Sequence, residues 1–317
     1  MSDMHLLHSS PILPEEIDRL GHLNVRYYMV RAYRANQELL IRLGLSREAR
    51  KALGVMLGRN DSYTRFHREQ HLGATLDVLG GVLEMGPHTL RTAFEIRNAD
   101  TGEAAAAIVS EFQLEAGATR EPIRWPTGLR ERALAYEVSL SEHATPRTLD
   151  FEPPKSDVRF EDVLARVGED GDGEWGALVE REITAEDCDA FGFLSEGNEL
   201  MPGGGGRGQT PGLDRAFGPP IEANEDGRRV GWAVQELRLT QFRRPRVGDT
   251  LRSIGAVVRL YRKARTARRW TFDARTGAVV SIDDNVAVAL DLDHRRAIEI
   301  PASELRTMAP RHAPEFA

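Results

Sequence analysis

The amino-acid sequence predicts an α+β fold made of two tandem copies of one unit, each an antiparallel sheet wrapped around a long helix. Three observations lead there: turn motifs that recur at one spacing, paired segments of alternating apolar and polar residues, and a helical apolar stripe ahead of the first pair. Leu72-Gly73-Ala74-Thr75-Leu76 returns as Val247-Gly248-Asp249-Thr250-Leu251, a shift of 248 − 73 = 175 positions. Ala99-Asp100-Thr101-Gly102 against Ala274-Arg275-Thr276-Gly277, and Trp125-Pro126 against Ile300-Pro301, share that shift. Upstream, Asp18-x-x-Gly21-His22-Leu23-Asn24 aligns with Asp189-x-x-Gly192-Phe193-Leu194-Ser195 at 189 − 18 = 171, so the second copy carries extra residues in its helix-loop region.

The elements follow in order. Val25, Tyr28, Met29, Ala32, Leu39, Leu40 and Leu43 keep the spacing of one buried helix face, and Arg26, Arg31, Arg34 and Glu38 are expected opposite them. Asn24 suits the N-cap and Gly44 the stop. Downstream, Leu90, Thr92, Phe94 and Ile96 alternate with Arg91, Ala93, Glu95 and Arg97, and Ile108, Ser110, Phe112 and Leu114 continue the pattern. That alternation predicts half-buried antiparallel strands, joined as a hairpin through the turn residues Asn98 to Gly102. Copy two repeats it with Arg268 to Asp273, a turn at Ala274 to Gly277, then Ile282, Asp284, Val286, Val288 and Leu290. One long helix is expected before each sheet. The proline-bearing stretch holding Pro122, Pro126, Pro146, Pro153 and Pro154 reads as the connection, with a short helix near Leu129 to Ala135. The organisation is therefore a first domain over 1–116, a linker over 117–157 and a second domain over 158–317.

Composition narrows the function classes. A hydrophobic share of 41% and a charged share of 29% suit a globular chain, and no window approaches the roughly 18 apolar residues that span a bilayer. No membrane association is expected. The N-terminus lacks the basic, apolar and small-residue succession of a secretion signal, so a cytoplasmic location is expected by default. A net charge of −7 argues against a nucleic-acid partner, which would need a basic face. The single Cys188 leaves no internal disulfide or multi-cysteine metal site, and no histidine near it in sequence would activate it as a nucleophile.

Asp18-x-x-Gly21-His22-Leu23-Asn24-x-x-Tyr27, followed by Arg65-Phe66-His67-Arg68-Glu69 leading to Gly73, resembles the hotdog-fold thioesterases of the 4-hydroxybenzoyl-CoA type. The run Gly21 to Val25 is also similar to betainyl-CoA thioesterases. The resemblance spans copy one and, more weakly, copy two. It implies two hotdog units forming an internal pseudo-dimer, an acyl-CoA substrate, no metal and no cofactor beyond the coenzyme A of that substrate, and pairing of two chains as a homodimer. It also implies that Asp18 is the nucleophile or general base. Thioester hydrolysis needs such a carboxylate, together with dipoles that hold the developing oxyanion. A loop aspartate beside a helix N-terminus offers both, and the amides around Asn24 to Arg26 are candidates for the oxyanion.

Asp18, His22 and Asn24 are thus the candidate catalytic residues, and Gly21, Val25, Tyr27 and His67 the candidate substrate contacts. Each has a plainer reading: Asp18 as a turn residue, His22 as a packed histidine, Asn24 as a helix cap, Tyr27 and Tyr28 as core. His67 and Glu69, on a predicted strand, read first as surface residues. Copy two retains Asp189 and Gly192 but has Phe193 and Ser195 for His22 and Asn24, so one active site per chain is expected. Gly203 to Gly206 with Arg207 and Gly208 is a glycine-rich loop rather than a phosphate loop, because Gln209 stands where the lysine belongs. Arg262, Lys263, Arg265, Arg268 and Arg269 are expected either to hold the phosphates of coenzyme A or to form a solvated hairpin. Two other functions compete with hydrolysis. One is a double-hotdog enoyl-CoA hydratase or dehydratase, which would need a histidine that copy two lacks between His143 and His294; the other is a non-catalytic acyl-CoA-binding protein.

Overall fold

In the computed structural model, the described residues are 4–18, 20–169, 178–189, 191–194 and 223–317. They form two compact units, Met1–Pro146 and Arg147–Ala317, divided inside the stretch expected to be the linker.

The first unit runs β1 (His5–Pro11), α1 (Val25–Arg42), α2 (Arg47–Leu53), β2 (Val55–Phe66), β3 (Thr75–Met85), β4 (Thr89–Asn98), β5 (Ala104–Ala116) and α3 (Thr127–Ala133). Its antiparallel sheet has the order β1-β3-β4-β5-β2. The expected hairpin is β4 to β5. Asn98 Oδ1 accepts the amides of Asp100 and Thr101, and Gly102 takes the positive φ of +72° that closes the turn.

Helix α1 starts and stops where the sequence predicts. Asn24 accepts the Arg26 amide at 3.0 Å, and Gly44 turns left-handed after the last turn. Tyr28, Ala32, Ala35, Leu39 and Leu40 of α1 are buried with Val78, Phe94, Ile96 and Ile108 on one sheet face. Burying each leucine contributes about 2 kcal/mol.

Two expectations need correction. Arg31 does not lie on the solvent side of α1: it is buried, one turn from Tyr28, with its guanidinium bonded twice to Glu16. Nor are the strands half-buried, since Ala93 and Glu95 on the outer face are covered too. The chain after α3 folds back across that face, where Val138 N–H donates to Val82 and His143 meets Glu95.

The second unit runs α4 (Phe160–Val167), β6 (Val179–Glu182), β7 (Val230–Gln241), β8 (Thr250–Leu260), β9 (Ala264–Asp273), β10 (Val279–Asp291) and α5 (Ala302–Met308). Strands β7 to β10 and helix α5 start and end 175 positions after β2 to β5 and α3. The order β6-β8-β9-β10-β7 repeats that of the first unit. Asp273 replaces Asn98 in the hairpin turn and accepts the Arg275 and Thr276 amides, while Gly277 supplies the positive φ. The long helix expected in this copy, together with Ser195 and the Gly203 to Gly208 loop, lies outside the described residues.

The two sheets carry their apolar residues on different faces. Val78, Ile96, Ala106 and Ile108, which line the helix side in the first unit, correspond to Ser253, Thr271, Ser281 and Asp283 in the second. The apolar set has moved to the opposite face, where Ile254, Trp270, Phe272 and Ile282 pack on Phe160, Val163 and Val167 of α4. Shifting the apolar residues by one along each strand does this, because neighbouring side chains point to opposite sides.

Asp283 pays for the polar face: burial pushes its carboxyl up to about 7, Arg269 opposes the rise and Asp284 adds to it. A carboxyl whose folded pKa lies above its ordinary value binds its proton more tightly in the folded state. Its contribution is therefore greatest below about pH 4 and is lost as pH rises towards 7. Asp283→Asn should flatten this loss by up to about 1.4 kcal/mol per pH unit over that window. Urea unfolding of both proteins at pH 5 and pH 7.5 checks it, and an unchanged difference between the two pH values would refute it.

Candidate active site

The segment carrying Asp18 is a tight backbone structure. A 3-10 turn, Pro14–Glu16, leads into Ile17, which pairs with Leu23 across a bend. The Asp18 amide donates to His22 O at 2.9 Å and the Gly21 amide to Asp18 O at 3.0 Å. Gly21 sits at φ +81°, a conformation that strains any residue with a Cβ. Asp18 Oδ1 is occupied by the Leu20 amide at 2.8 Å, while Oδ2 lies 3.3 Å from His22 Nδ1. His22 is only 12% exposed, and its Nε2 faces Glu69 Oε1 at 3.6 Å.

Three sets of bonds fix this turn to the rest of the unit. Arg31 of α1 reaches Glu16 Oε2 at 2.6 Å and also donates to Pro11 O, while Glu16 O accepts the Asn24 amide. Leu23 N–H donates to Gln70 O at 2.7 Å. Tyr28, whose hydroxyl burial and then Glu69 push up beyond the ordinary tyrosine range, remains a neutral donor to Arg68 O.

The expected oxyanion donors narrow to one. Asn24 N–H goes to Glu16 and Arg26 N–H to the Asn24 cap, which leaves the Val25 amide, with no acceptor among the described residues. Asn24 is thus a helix cap. Tyr27 lies beside the turn, its hydroxyl 3.4 Å from Glu15 O.

The structure gathers Asp18, Gly21, His22, Asn24, Val25 and Tyr27, but it sends His67 elsewhere. Strand β2 ends at Phe66, so His67 and Glu69 sit on the following loop rather than on the predicted strand. His67 donates to His143 O at 2.9 Å and stacks edge-on against that ring, beside Glu95 on the sheet face away from α1. Glu69 and His71 join the cluster instead, His71 donating to Gly21 O. Their approach depends on the β2-β3 loop folding over the turn, for which the only sequence signal was their place in a segment shared with the resembled family.

The second copy preserves the backbone and the aspartate of this turn but not its histidine. Asp189 N–H donates to Phe193 O, Asp189 Oδ1 accepts from Phe191 and Phe193, and Gly192 repeats the positive φ. Phe193 fills the place of His22, with the Arg246 guanidinium 4.6 Å above its ring. Cys188 beside this turn has its thiol pushed up by burial and by Asp187, Asp189 and Asp249, which makes it a poor nucleophile.

The expected cationic cluster disperses. Arg268 makes a two-pronged bond to Asp284, Arg265 lies over Trp232, and Arg262 pairs with Glu299. Arg265 and Arg268 of β9 point to opposite faces, while Arg262 lies in the turn before that strand, so these three do not converge.

These two units, with their repeated strand order, define a double-hotdog protein. Residues 12–133, within the first unit, match the family model described as the Thioesterase-like superfamily. Among solved structures the chain is similar to a putative oleoyl thioesterase from Lactobacillus plantarum, at 14% identity and TM-score 0.61 over 89% of this chain and 95% of that one. It is similar as well to the 12:0-ACP thioesterase from Umbellularia californica, at 12% identity and TM-score 0.62 over 89% and 96%. An acyl-ACP thioesterase from Bacteroides thetaiotaomicron gives 11% identity and TM-score 0.59 over 88% and 96%. At such identities the likeness is one of fold. No curated protein matches the sequence. Among the described residues, no helix is long and apolar enough to cross a membrane.

Proposed function

We propose that the chain hydrolyses an acyl-CoA thioester to a free acid and coenzyme A, with chemistry of the 4-hydroxybenzoyl-CoA thioesterase kind carried by Asp18. The observation that supports this most is the division of labour within that carboxylate: the turn holds Oδ1, while Oδ2 faces His22 at the head of α1. A carboxylate anchored by one oxygen is pre-oriented as a base through the other.

Oδ2 takes a proton from water as the water oxygen attacks the thioester carbonyl carbon. The carbonyl oxygen gains the negative charge and is met by the Val25 amide and the positive end of α1. Collapse breaks the C–S bond, and the departing thiolate takes the proton from Asp18. Water is consumed, acid and thiol are released, and Asp18 is restored. Gly21 and Tyr27 border this position and contact the substrate, whereas the placement of His67 favours a role in holding the outer face of the sheet.

Thiol release measured over short, branched, aromatic, long-chain and betaine-type acyl-CoAs, and over the same acyl groups on acyl carrier protein, tests the reading. Turnover on one or more CoA esters is expected. Turnover confined to carrier protein would overturn the choice of carrier. Uptake of acyl-CoA without thiol release, or loss of an enoyl chromophore without thiol, would overturn hydrolysis itself. Asp189→Asn should leave kcat within about twofold, since its turn lacks the histidine; a loss comparable to that of Asp18→Asn would place catalysis in both copies.

A further inference from the structure

We propose that Glu69 is a positioning residue that acts through His22, holding the far edge of the imidazole so that its near edge stays on Asp18. The inference rests on the hydrolytic reading above and extends it to a side chain outside the Asp18 turn.

His22 Nδ1 has two neighbours, Asp18 Oδ2 at 3.3 Å and Leu23 O at 3.3 Å, and both only accept. The Nδ1 edge must therefore present a proton, but a ring held along one edge is still free to flip. Glu69 Oε1, at 3.6 Å from Nε2, supplies the second hold, and since a carboxylate only accepts, it holds the ring through a proton on Nε2. The loop that carries Glu69 is itself fastened to the motif on both sides. Arg68 O accepts from Tyr28, Gln70 O from the Leu23 amide, Gln70 Oε1 from Asn98, and His71 donates to Gly21 O. With its neighbours so tied, Glu69 has little room to leave His22.

The second copy serves as an internal control. Its counterpart of Leu23 N–H to Gln70 O survives as Leu194 N–H to Pro245 O, so the loop sits in the same place. Yet where His22 becomes Phe193, Glu69 becomes Arg244, which turns to Gln241 instead. The histidine and the carboxylate are present together or absent together, as expected of a pair with one task.

The test uses the full chain and an acyl-CoA that the wild type turns over. Glu69→Gln should lower kcat by about 10- to 100-fold with KM within about twofold, and Glu69→Asp should recover part of the loss. Glu69→Gln combined with His22→Gln should be no slower than His22→Gln alone, because a residue acting through the ring has nothing left to act on. In histidine-labelled protein, the ¹⁵N signals of His22, assigned by their loss in His22→Gln, should show protons on both ring nitrogens in the wild type and a shift towards the neutral Nδ1-protonated ring in Glu69→Gln, whose side-chain amide can donate to a bare Nε2. Wild-type kcat in Glu69→Gln, multiplied losses in the double variant, or unchanged His22 signals would each overturn the proposal. If no acyl thioester is hydrolysed, or if Asp18→Asn stays fully active, the hydrolytic reading fails instead; the ¹⁵N comparison still decides whether Glu69 sets the ring.

Discussion

Asp18→Asn is expected to lower kcat for acyl-CoA hydrolysis roughly 10³-fold while leaving the fold intact, within the range typical of removing a general base. The reason lies in how the two oxygens are used. Asparagine keeps an Oδ1 that can accept the Leu20 amide, so the turn closes as before. It loses the negative Oδ2 that faces His22, and with it the group that takes the proton from water. A tenfold change in rate corresponds to about 1.4 kcal/mol in the barrier, so the substitution removes about 4 kcal/mol of transition-state stabilisation. Steady-state thiol release, together with a thermal melt within about 2 °C of wild type, checks it. A kcat within threefold of wild type would remove Asp18 from the chemistry.

The second large effect is on stability. Arg31→Leu should cost roughly 3–5 kcal/mol of unfolding free energy, because it strands the Glu16 carboxylate in a site where that side chain is 7% exposed. A buried ion pair adds little net stability over apolar residues of the same size, but half of one is costly. Arg31→Leu with Glu16→Gln should therefore recover most of the loss. Since Glu16 O also receives the Asn24 amide, the single variant should loosen the Asp18 turn and lower activity as well as stability. Urea titration of the three proteins decides it, and a single variant less than 1 kcal/mol below wild type would show that the pair does not anchor the turn.

Arg31 also shows where sequence reading reached its limit. On periodicity it is one more arginine beside Arg34 and Glu38, and only the approach of Glu16 from the preceding 3-10 turn explains its burial. Strand β1 leaves no local signal for a similar reason, since His5–Pro11 has no alternation and owes its conformation to pairing with β3. The cations from Arg262 to Arg269 are close in sequence, but the turn holds Arg262 against Glu299 while β9 points Arg265 to Trp232 on one face and Arg268 to Asp284 on the other. Helix α1, by contrast, was legible down to its cap and stop, because its signals are local: Asn24, the apolar spacing and Gly44.

What the sequence determined by itself is the architecture and the motif. A shift of 175 shared by three turn motifs requires a repeated unit, and glycines at positive φ mark its turns whatever surrounds them. The tertiary structure decided which side chains act together. It drew Glu69 and His71 onto the Asp18 turn, carried His67 to the opposite face of the sheet, and moved the apolar side of the second sheet onto α4. The physical reason is range: turns and caps are set by bonds within a few residues, whereas the neighbours of a site are set by which distant segments a sheet and its helix bring within hydrogen-bonding distance.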